Sequence, residues 1–255
     1  MKRAEIEKRR KLISEYIQAN GSLSTDDACR MFHVSDETIR KDFLFLEKLK
    51  IVDKYYGGAR LHKSDITKPY TQRQDEHYFA KASIADRAME LIPEGGQLII
   101  GLDMGTTISM LAGLLANRSH NLIITNSNGC IQRLTNSDNN LYVLGGEYNA
   151  SSRCFEGEAA YAALNKLSLD VVFLGTGGIL NKGGISTASF SDVRLKREYI
   201  LHSRKRVVLT DSSKFQYTAL VEVAPWLDID ILITDRGAPQ DMIEQLREVV
   251  DIIIV

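Results

Sequence analysis

Apolar residues in the first fifty positions follow the period of an α-helix. The apolar side chains of residues 4–19 form a single stripe, which predicts a helix that ends at Asn20-Gly21. The pattern of residues 24–32 predicts a short second helix capped by Ser24. The pattern of residues 36–49 predicts a third helix capped by Ser35. The inward positions of the third helix are Ile39, Phe43, Leu46 and Leu49.

The second and third predicted helices are separated by a turn of only three or four residues. Two short helices joined in this way form a helix-turn-helix, in which the second helix presents its N-terminal residues to base edges. We expect DNA contacts from Ser35, Thr38, Arg40 and Lys41, because hydroxyl and cationic groups bind phosphates and bases. A three-helix bundle with a solvated basic face has the same periodicity, so periodicity alone leaves both interpretations open.

Residues 51–61 predict two short strands around Gly57-Gly58, the hairpin that forms the wing of a winged helix. Lys54 and Arg60 are the wing residues expected to contact the DNA backbone. Residues 1–62 carry 13 Lys and Arg against 10 Asp and Glu, a net charge of +3, whereas the remainder carries 19 against 23, a net of −4. This asymmetry favours a polyanionic partner for the N-terminal part, although the excess is small.

The segment 34–61 resembles the N-terminal winged helix-turn-helix of the DeoR family of bacterial transcriptional repressors. In that family the recognition helix has Ser, two variable residues and then Thr-Ile-Arg-Arg-Asp-Leu, and the wing ends in His-Gly-Gly-Ala. The matching residues are Ser35, Thr38, Ile39, Arg40, Asp42, Gly57, Gly58 and Ala59. Lys41, Phe43 and Tyr56 replace the family's Arg, Leu and His, and Lys41 lacks the bidentate fork of an arginine. The resemblance implies double-stranded operator DNA as a partner, without carrying over an operator sequence.

From residue 79 onward, short apolar runs alternate with helical segments. The runs that predict strands are residues 97–103, 121–125, 140–146, 169–178, 205–211, 228–235 and 251–255. This alternation predicts an α/β fold with a largely parallel sheet. Residues 62–78 are polar and contain Pro69, which indicates a linker. We therefore expect a winged helix-turn-helix over 1–61, a linker over 62–78 and a second α/β domain over 79–255.

Ligands of parallel α/β sheets bind outside the carboxyl ends of the strands, so the residues that follow the apolar runs are candidate ligand contacts. Small residues before a helix form anion sites, and a lysine beside two hydroxyls at a strand end suits a phosphate. The candidates are Asp103, Gly105, Thr106, Thr107, Asn126, Lys182, Asp211, Ser213 and Lys214. We expect backbone amides and Lys214 to bind phosphate, and the carboxylates and Asn126 to bind hydroxyls. Tight turns, a flexible glycine-rich hairpin and a solvated lysine are the alternatives.

The body is similar to the DeoR-family sensor domain, itself similar to the fold of ribose-phosphate isomerase and CoA-transferase. The family's Asp-Ser-Gly-Thr-Thr is found at 103–107, Leu-Gly-Gly at 144–146, Gly-Glu-Ala at 157–159 and Asp-Ser-Ser-Lys at 211–214. Met104 replaces a Ser, and Asp192 replaces the Glu of a Glu-Ala-x-x-Lys-Arg motif. The resemblance implies a small phosphorylated sugar or polyol as effector, and a homodimer or homotetramer.

The sequence contains no motif that indicates a metal site, a cofactor site or a catalytic site. We expect no metal site, no cofactor and no catalytic residue, because the chain lacks metal-ligand spacings and nucleotide-binding glycine patterns. Cys29, Cys130 and Cys154 are interpreted as free thiols. The histidines are interpreted as structural or solvated; they are His33, His62, His77, His120 and His202. A charged N-terminus and the lack of long apolar runs favour a cytoplasmic protein.

The sequence thus predicts a DNA-binding transcriptional regulator, a repressor of a carbohydrate operon that a phosphorylated sugar releases. An activator remains open because the sequence does not encode the sign of regulation. A second hypothesis is a sugar-phosphate isomerase or deaminase with an appended DNA-binding head. It is disfavoured because the loop 175–184, where related isomerases carry acidic residues, contains no Asp or Glu. A third is an adaptor that binds RNA or protein through the winged head.

Overall fold

The computed structural model describes residues 3–20, 22–48, 51–61 and 68–255. The helices of this part of the chain are α1 Arg3–Asn20, α2 Thr25–Phe32, α3 Asp36–Lys48, α4 Tyr70–Arg73, α5 Tyr78–Met89, α6 Thr106–Leu115, α7 Asn128–Leu134, α8 Glu158–Leu164, α9 Phe190–Leu201 and α10 Gln240–Leu246. The strands are β1 Ser22–Ser24, β2 Val52–Tyr55, β3 Gly58–Leu61, β4 Ile99–Leu102, β5 Leu122–Thr125, β6 Asn140–Val143, β7 Glu147–Asn149, β8 Cys154–Glu156, β9 Leu169–Leu174, β10 Gly184–Thr187, β11 Ser203–Leu209, β12 Val221–Pro225, β13 Ile231–Thr234 and β14 Asp251–Ile254. Short 3₁₀ turns cover Ser212–Gln216 and Trp226–Asp228.

The N-terminal module contains the predicted three helices and wing. Ser24 caps α2 as predicted, accepting a hydrogen bond of 3.0 Å from the backbone N–H of Asp27. The three helices share one apolar core with the wing, and its fully buried members include Ile13, Ile17 and Ile39. Leu49, predicted to face inward, lies outside the described residues.

The sequence patterns did not predict strand β1. It pairs antiparallel with β3, which itself pairs with β2, so the wing belongs to a three-stranded sheet in the order β1-β3-β2. Three residues are too few to show a period, and β1 is defined by its partner strand. The hairpin turns at Tyr56-Gly57, where Gly57 has a φ of +94° that side chains rarely adopt.

The body confirms the predicted α/β fold. Seven strands form one sheet in the order β14-β13-β11-β9-β4-β5-β6, and every neighbouring pair is parallel. Helices cover both faces, because α5, α6 and α7 share one apolar core with the sheet, while α8, α9 and α10 share the other. Burial on both faces explains why the central strands are almost continuously apolar.

Two pairs of short strands were missed and lie outside the large sheet. β7 and β8 form an antiparallel hairpin, and β10 pairs antiparallel with β12. The glycine-rich stretch after β9, for which the sequence allows a ligand-binding loop or a flexible hairpin, contains the start of β10, and all four residues of β10 are buried. The partner strand β12 is more than thirty residues away, so local sequence does not reveal the pairing.

The predicted linker is only partly described, because residues 62–67 lie outside the described part of the chain. Residues 70–73 form the short helix α4, and α5 begins at Tyr78. The side chain of Tyr70 is buried, and its backbone N–H donates to the carbonyl of Ser151 at 2.9 Å. Residues 68–78 therefore pack on the body, although the domain boundaries themselves stay a prediction.

The three cysteines are free thiols, with Cys130 and Cys154 buried and Cys29 half-buried. Burial raises the pKa of Cys130 and of Cys154 to about 12. Both side chains are therefore protonated packing groups at neutral pH. No helix in the described ranges is both long enough and apolar enough to cross a membrane.

Candidate functional sites

The exposed face of α3 carries the predicted DNA contacts. Arg40 pairs with Asp36, and the ammonium of Lys41 lies 2.7 Å from Glu37, each one helical turn apart. The hydrogen bond that Arg40 donates to Asp36 raises the pKa of Arg40, and the hydrogen bond that Lys41 donates to Glu37 lowers the pKa of Glu37. Such exposed pairs are weak. Arg40 and Lys41 can therefore exchange their carboxylate partners for a phosphate or a base edge at little cost in free energy.

Ser35 and Thr38 lie at the start of the same helix. Their hydroxyl oxygens are 2.9 Å apart, and the N–H of Thr38 also donates to the carbonyl of Ser35 at 3.0 Å. Ser35 is exposed and Thr38 is half-buried. The structure thus brings the four predicted α3 contacts onto one helix end, although it does not test their roles.

Asp42 is a buried charge of α3 that the sequence patterns did not assign a role. Its carboxylate accepts hydrogen bonds from Arg9 at 2.6 Å and from Arg10 at 2.8 Å, both on α1. Arg9 and Asp42 are buried, and the guanidinium of Arg10 lies 3.8 Å from the centre of the Phe45 ring. These contacts fix α3 against α1. The feature of the sequence that indicates this buried charge is an acidic residue at an inward position of an otherwise apolar helical stripe.

The wing carries the other predicted contacts. Lys54 and Arg60 are exposed, as predicted for residues that reach a DNA backbone. Tyr56, which replaces the usual histidine, is fully exposed at the tip of the hairpin. The N–H of Lys54 donates to the carboxylate of Glu47 at 3.1 Å, which fixes β2 to the end of α3.

A cleft lies at the carboxyl ends of β4, β9 and β11, where such sheets bind ligands. We call it the anion cleft. The predicted residues that line it are Gly105, Thr106, Thr107, Asp211 and Lys214. Other lining residues are Arg73, Glu76, His77, Lys81, Met104, Ile108, Gly175, Thr176, Gly177, Asp192, Lys196, Leu209 and Thr210. His77 was interpreted as structural or solvated, but it is part of this wall.

The N-terminus of α6 forms one wall of the anion cleft. Gly105 precedes the helix with a φ of +143°, a conformation that favours glycine. Thr106 and Thr107 follow it in the first turn, where backbone N–H groups have no acceptor within the helix. These donors and the helix dipole favour an anion at this point.

Four cations from other elements line the same cleft: Arg73 on α4, Lys81 on α5, Lys196 on α9 and Lys214 in a 3₁₀ turn. Three carboxylates also line it, those of Glu76, Asp192 and Asp211. The pKa of Lys81 is lowered to about 8, mainly by burial; Asp211 and Glu76 act to raise it, and Lys214 and Arg73 act with burial to lower it. Lys81 also donates to the backbone carbonyl of Arg73 at 2.6 Å. The convergence of cations on a helix N-terminus suits a phosphate group.

An ion pair buried beneath the cleft positions one of its loops. Lys196 binds Asp103, and both side chains are almost fully buried. The carboxylate of Asp103 accepts the N–H of Gly175 at 2.9 Å, while Lys196 donates to the carbonyl of Gly175 at 3.0 Å. The ion pair therefore binds both the N–H and the carbonyl of Gly175, and these two bonds fix the loop that follows β9.

A second carboxylate lies close to this pair. Asp192 accepts a hydrogen bond from Thr187 at 2.6 Å and lies 3.8 Å from the ammonium of Lys196. Burial raises the pKa of Asp192 to about 6, although Lys196 acts in the opposite direction. Burial also acts to lower the pKa of Lys196, but Asp103 and Asp192 together keep it above its usual value.

Four predicted ligand contacts do not line the anion cleft. Asp103 and Asn126 are buried, and each has one carboxyl or amide oxygen without a partner among the described residues. The hydroxyl of Ser213 donates to Asp211. Lys182 lines a separate cavity with Trp226 and residues of α10. The ligand contacts of these four residues stay untested predictions.

Two residues of the cleft that the sequence patterns do not predict are Lys81 and Lys196, and the sequence indicates their burial only weakly. Lys81 has the spacing of the buried stripe of α5, which continues at Ile84, Ala85 and Ala88. Lys196 shares a buried face of α9 with Asp192. A cation within an apolar stripe indicates a buried charge, but its partner belongs to a distant element that the pattern cannot identify.

The comparisons with known proteins agree with both modules. Residues 9–65 match the family model described as DeoR-like helix-turn-helix domain, and residues 76–236 match DeoR C terminal sensor domain. A putative aga operon transcriptional repressor of Escherichia coli O157:H7 is 34% identical over 254 residues, covering 97% of this chain and 93% of that protein. The glycerol-3-phosphate regulon repressor of Escherichia coli strain K12 is 31% identical, covering 92% and 93%. An L-fucose operon activator of Haemophilus influenzae is 30% identical, covering 92% and 94%.

Solved structures resemble the chain only distantly. A ribose 5-phosphate isomerase A from Methanocaldococcus jannaschii has a TM-score of 0.38 and 18% identity over 52% of each chain. RipA from Yersinia pestis has a TM-score of 0.42 and 12% identity over 67% of this chain and 51% of that one. Similarity this low carries no functional argument, whereas the two family models and the full-length relatives do. The chain belongs to the DeoR family of DNA-binding transcriptional regulators.

Proposed function

We propose that this regulator represses a carbohydrate operon and that a small phosphorylated sugar or polyol releases it from operator DNA. The observation that carries the effector class is the anion cleft, where Arg73, Lys81 and Lys214 converge on the N-terminus of α6. The names of the relatives support the regulated process, since they refer to aga, glycerol-3-phosphate and L-fucose genes. One of the three is an activator, so repression by this chain is part of the proposal.

The operator contacts in this proposal are Ser35, Thr38, Arg40, Lys41, Lys54 and Arg60. All six belong to α3, its preceding turn and the wing, the elements that a winged helix applies to DNA. Two such modules are required to bind two half-sites, so we propose a homodimer or homotetramer. Operator binding would place the protein in the bacterial cytoplasm.

The segment 68–77 is our candidate for the coupling between effector and operator. It follows the DNA-binding module in the chain and contributes Arg73, Glu76 and His77 to the wall of the anion cleft. A phosphate bound to Arg73 would therefore act on the part of the chain that leads to the wing. For this contact to regulate DNA binding, the effector must bind the released state more tightly than the operator-bound state.

A gel-shift titration on the DNA upstream of the protein's own gene tests the proposal. We expect a specific shift that one compound from a panel of sugar phosphates relieves. A specific shift that the effector strengthens would contradict release by the effector. No specific shift would count against the regulator, and turnover of ribose 5-phosphate or glucosamine 6-phosphate in the same preparation would favour an enzyme.

Arg40→Ala should weaken specific operator binding by about 1–3 kcal/mol if the guanidinium contacts a base. Arg40 is exposed and pairs only weakly with Asp36, so its loss should leave the fold intact. Gel-shift titrations on specific and unrelated duplexes would measure the loss of discrimination. Arg204→Ala, which removes an exposed cation of the body, is the matched control. Equal effects of the two substitutions would exclude a base contact by Arg40.

Effector affinity should fall as the pH rises above about 8. Lys81 has a pKa of about 8, so its ammonium is present below that pH and is lost above it. A phosphate monoester is a dianion above about pH 6, so its own charge stays constant over this range. We expect about a tenfold loss of affinity between about pH 7 and about pH 9, measured by calorimetry with the panel compound that relieves the shift. Lys81→Met should bind weakly at both pH values; a full pH effect in this variant would assign it to another group.

A further inference from the structure

A second cavity adjoins the anion cleft, and Arg73 and Met104 line both. We call it the polar cavity. Its other side chains are mainly neutral hydrogen-bonding groups, among them Ser151, Thr187 and Ser189. Because the same two residues line each space, the cleft and the cavity adjoin and are the two halves of the elongated site proposed below. Its two halves differ in chemistry.

Glu156 is the carboxylate that lines the polar cavity. One carboxylate oxygen of Glu156 accepts a hydrogen bond from the amide of Asn149 at 3.1 Å, and the other accepts one from the hydroxyl of Ser191 at 2.7 Å. A carboxylate has about four acceptor positions, so both oxygens retain the capacity to accept from a ligand. The two bonds fix the carboxylate without neutralising it, since Asn149 and Ser191 are uncharged.

The two halves differ in their charged residues: four cations and three carboxylates line the anion cleft. Among the residues that line the polar cavity, Arg73 and Glu156 are the charged ones, and Arg73 also belongs to the anion cleft. Glu156 is therefore the charge that the polar cavity contributes by itself. A carboxylate accepts hydrogen bonds from sugar hydroxyls but repels a phosphate. Met104 adds an apolar surface between the halves that suits the carbon chain of a ligand.

We infer that the effector is an extended sugar or polyol monophosphate that occupies both halves. Its phosphate binds in the anion cleft, its carbon chain passes Met104, and its distal hydroxyls bind Glu156 in the polar cavity. A compound with a second phosphate at the distal end places that phosphate against Glu156 and is rejected. This inference rests on the proposed function, because it assumes that the anion cleft binds a phosphate.

Calorimetric titration with inorganic phosphate, glycerol 3-phosphate, a hexitol 6-phosphate and a hexose 1,6-bisphosphate tests the inference. We expect affinity to rise with chain length, with the hexitol 6-phosphate at least about tenfold tighter than inorganic phosphate and also about tenfold tighter than the bisphosphate. Glu156→Gln keeps the shape and removes the charge. It should reduce the preference for the hexitol monophosphate over the bisphosphate by about tenfold.

Glu158→Gln is the matched control. Glu158 is an exposed carboxylate two residues away that pairs with Arg194 and does not line either space. It should leave the preference unchanged. If phosphate compounds bind but the bisphosphate equals the hexitol monophosphate, or if the two variants behave alike, the inference is overturned and the proposed function stands. If none of the four compounds binds, the proposed function itself fails.

Discussion

Asp42→Ala should unfold the DNA-binding module and abolish operator binding. The carboxylate of Asp42 is buried and binds two arginines of α1, so its removal leaves the buried guanidinium of Arg9 uncompensated. Breaking a buried ion pair from one side costs about 3–5 kcal/mol. The free energy of unfolding of a small domain is at most about 5–15 kcal/mol. This loss therefore removes much of the stability of a module of this size. Hydrogen exchange should show deprotection of amides in α1 and α3.

The body serves as an internal reference in this experiment. Its tryptophan, Trp226, is buried in the core shared with α8 and α9, so its fluorescence should not change. Asp42→Asn should give an intermediate effect, because the amide oxygen still accepts one hydrogen bond. Glu15→Ala removes an exposed carboxylate from α1 and should have little effect. Normal operator binding by Asp42→Ala would show that the two arginines do not position α3.

Lys196→Met should destabilise the body by about 3–5 kcal/mol at neutral pH. The substitution leaves Asp103 as a buried carboxylate and removes the cation that also faces Asp192. Urea denaturation followed by the fluorescence of Trp226 would measure the change. Lys166→Met, at an exposed position, is the control for the loss of a positive charge.

The deficit of Lys196→Met should become smaller as the pH falls. Without Lys196, the carboxyl groups that remain are stabilised in their neutral forms, so their folded-state pKa values rise above the unfolded values. A carboxyl group with a raised folded-state pKa costs stability when it must ionise, at high pH, and less when it is protonated. Asp192 has a pKa of about 6 while Lys196 acts to lower it, so in the variant recovery should begin above that value. The double variant Asp103→Asn/Lys196→Met should recover stability at neutral pH. A deficit that does not vary with pH would mean that lost packing, not the uncompensated charge, causes it.

Both positions show why a helical period identifies a buried residue but not its partner. Asp42 and Lys196 each lie on the buried face of a helix, together with apolar residues that the period marks as inward. The period follows from the geometry of one helix and is therefore local. The partners Arg9 and Asp103 are 33 and 93 residues away, on elements that only the fold brings close.

The sequence by itself determined the helix-turn-helix, the wing, the order of the large-sheet strands along the chain and the parallel α/β class. Each of these depends on spacing within one element or on short connections, and the prediction of an anion site at the start of α6 rests on the same kind of local spacing. The tertiary structure decided which strand ends meet. It brought Arg73, Lys81 and Lys214 to one cleft, left Lys182 in another, and placed Asp103 beneath the cleft. It also paired β10 with β12 and placed the polar cavity beside the anion cleft. These arrangements depend on contacts between distant residues, whose pairing is set by the packing of the whole sheet and leaves no period in the sequence.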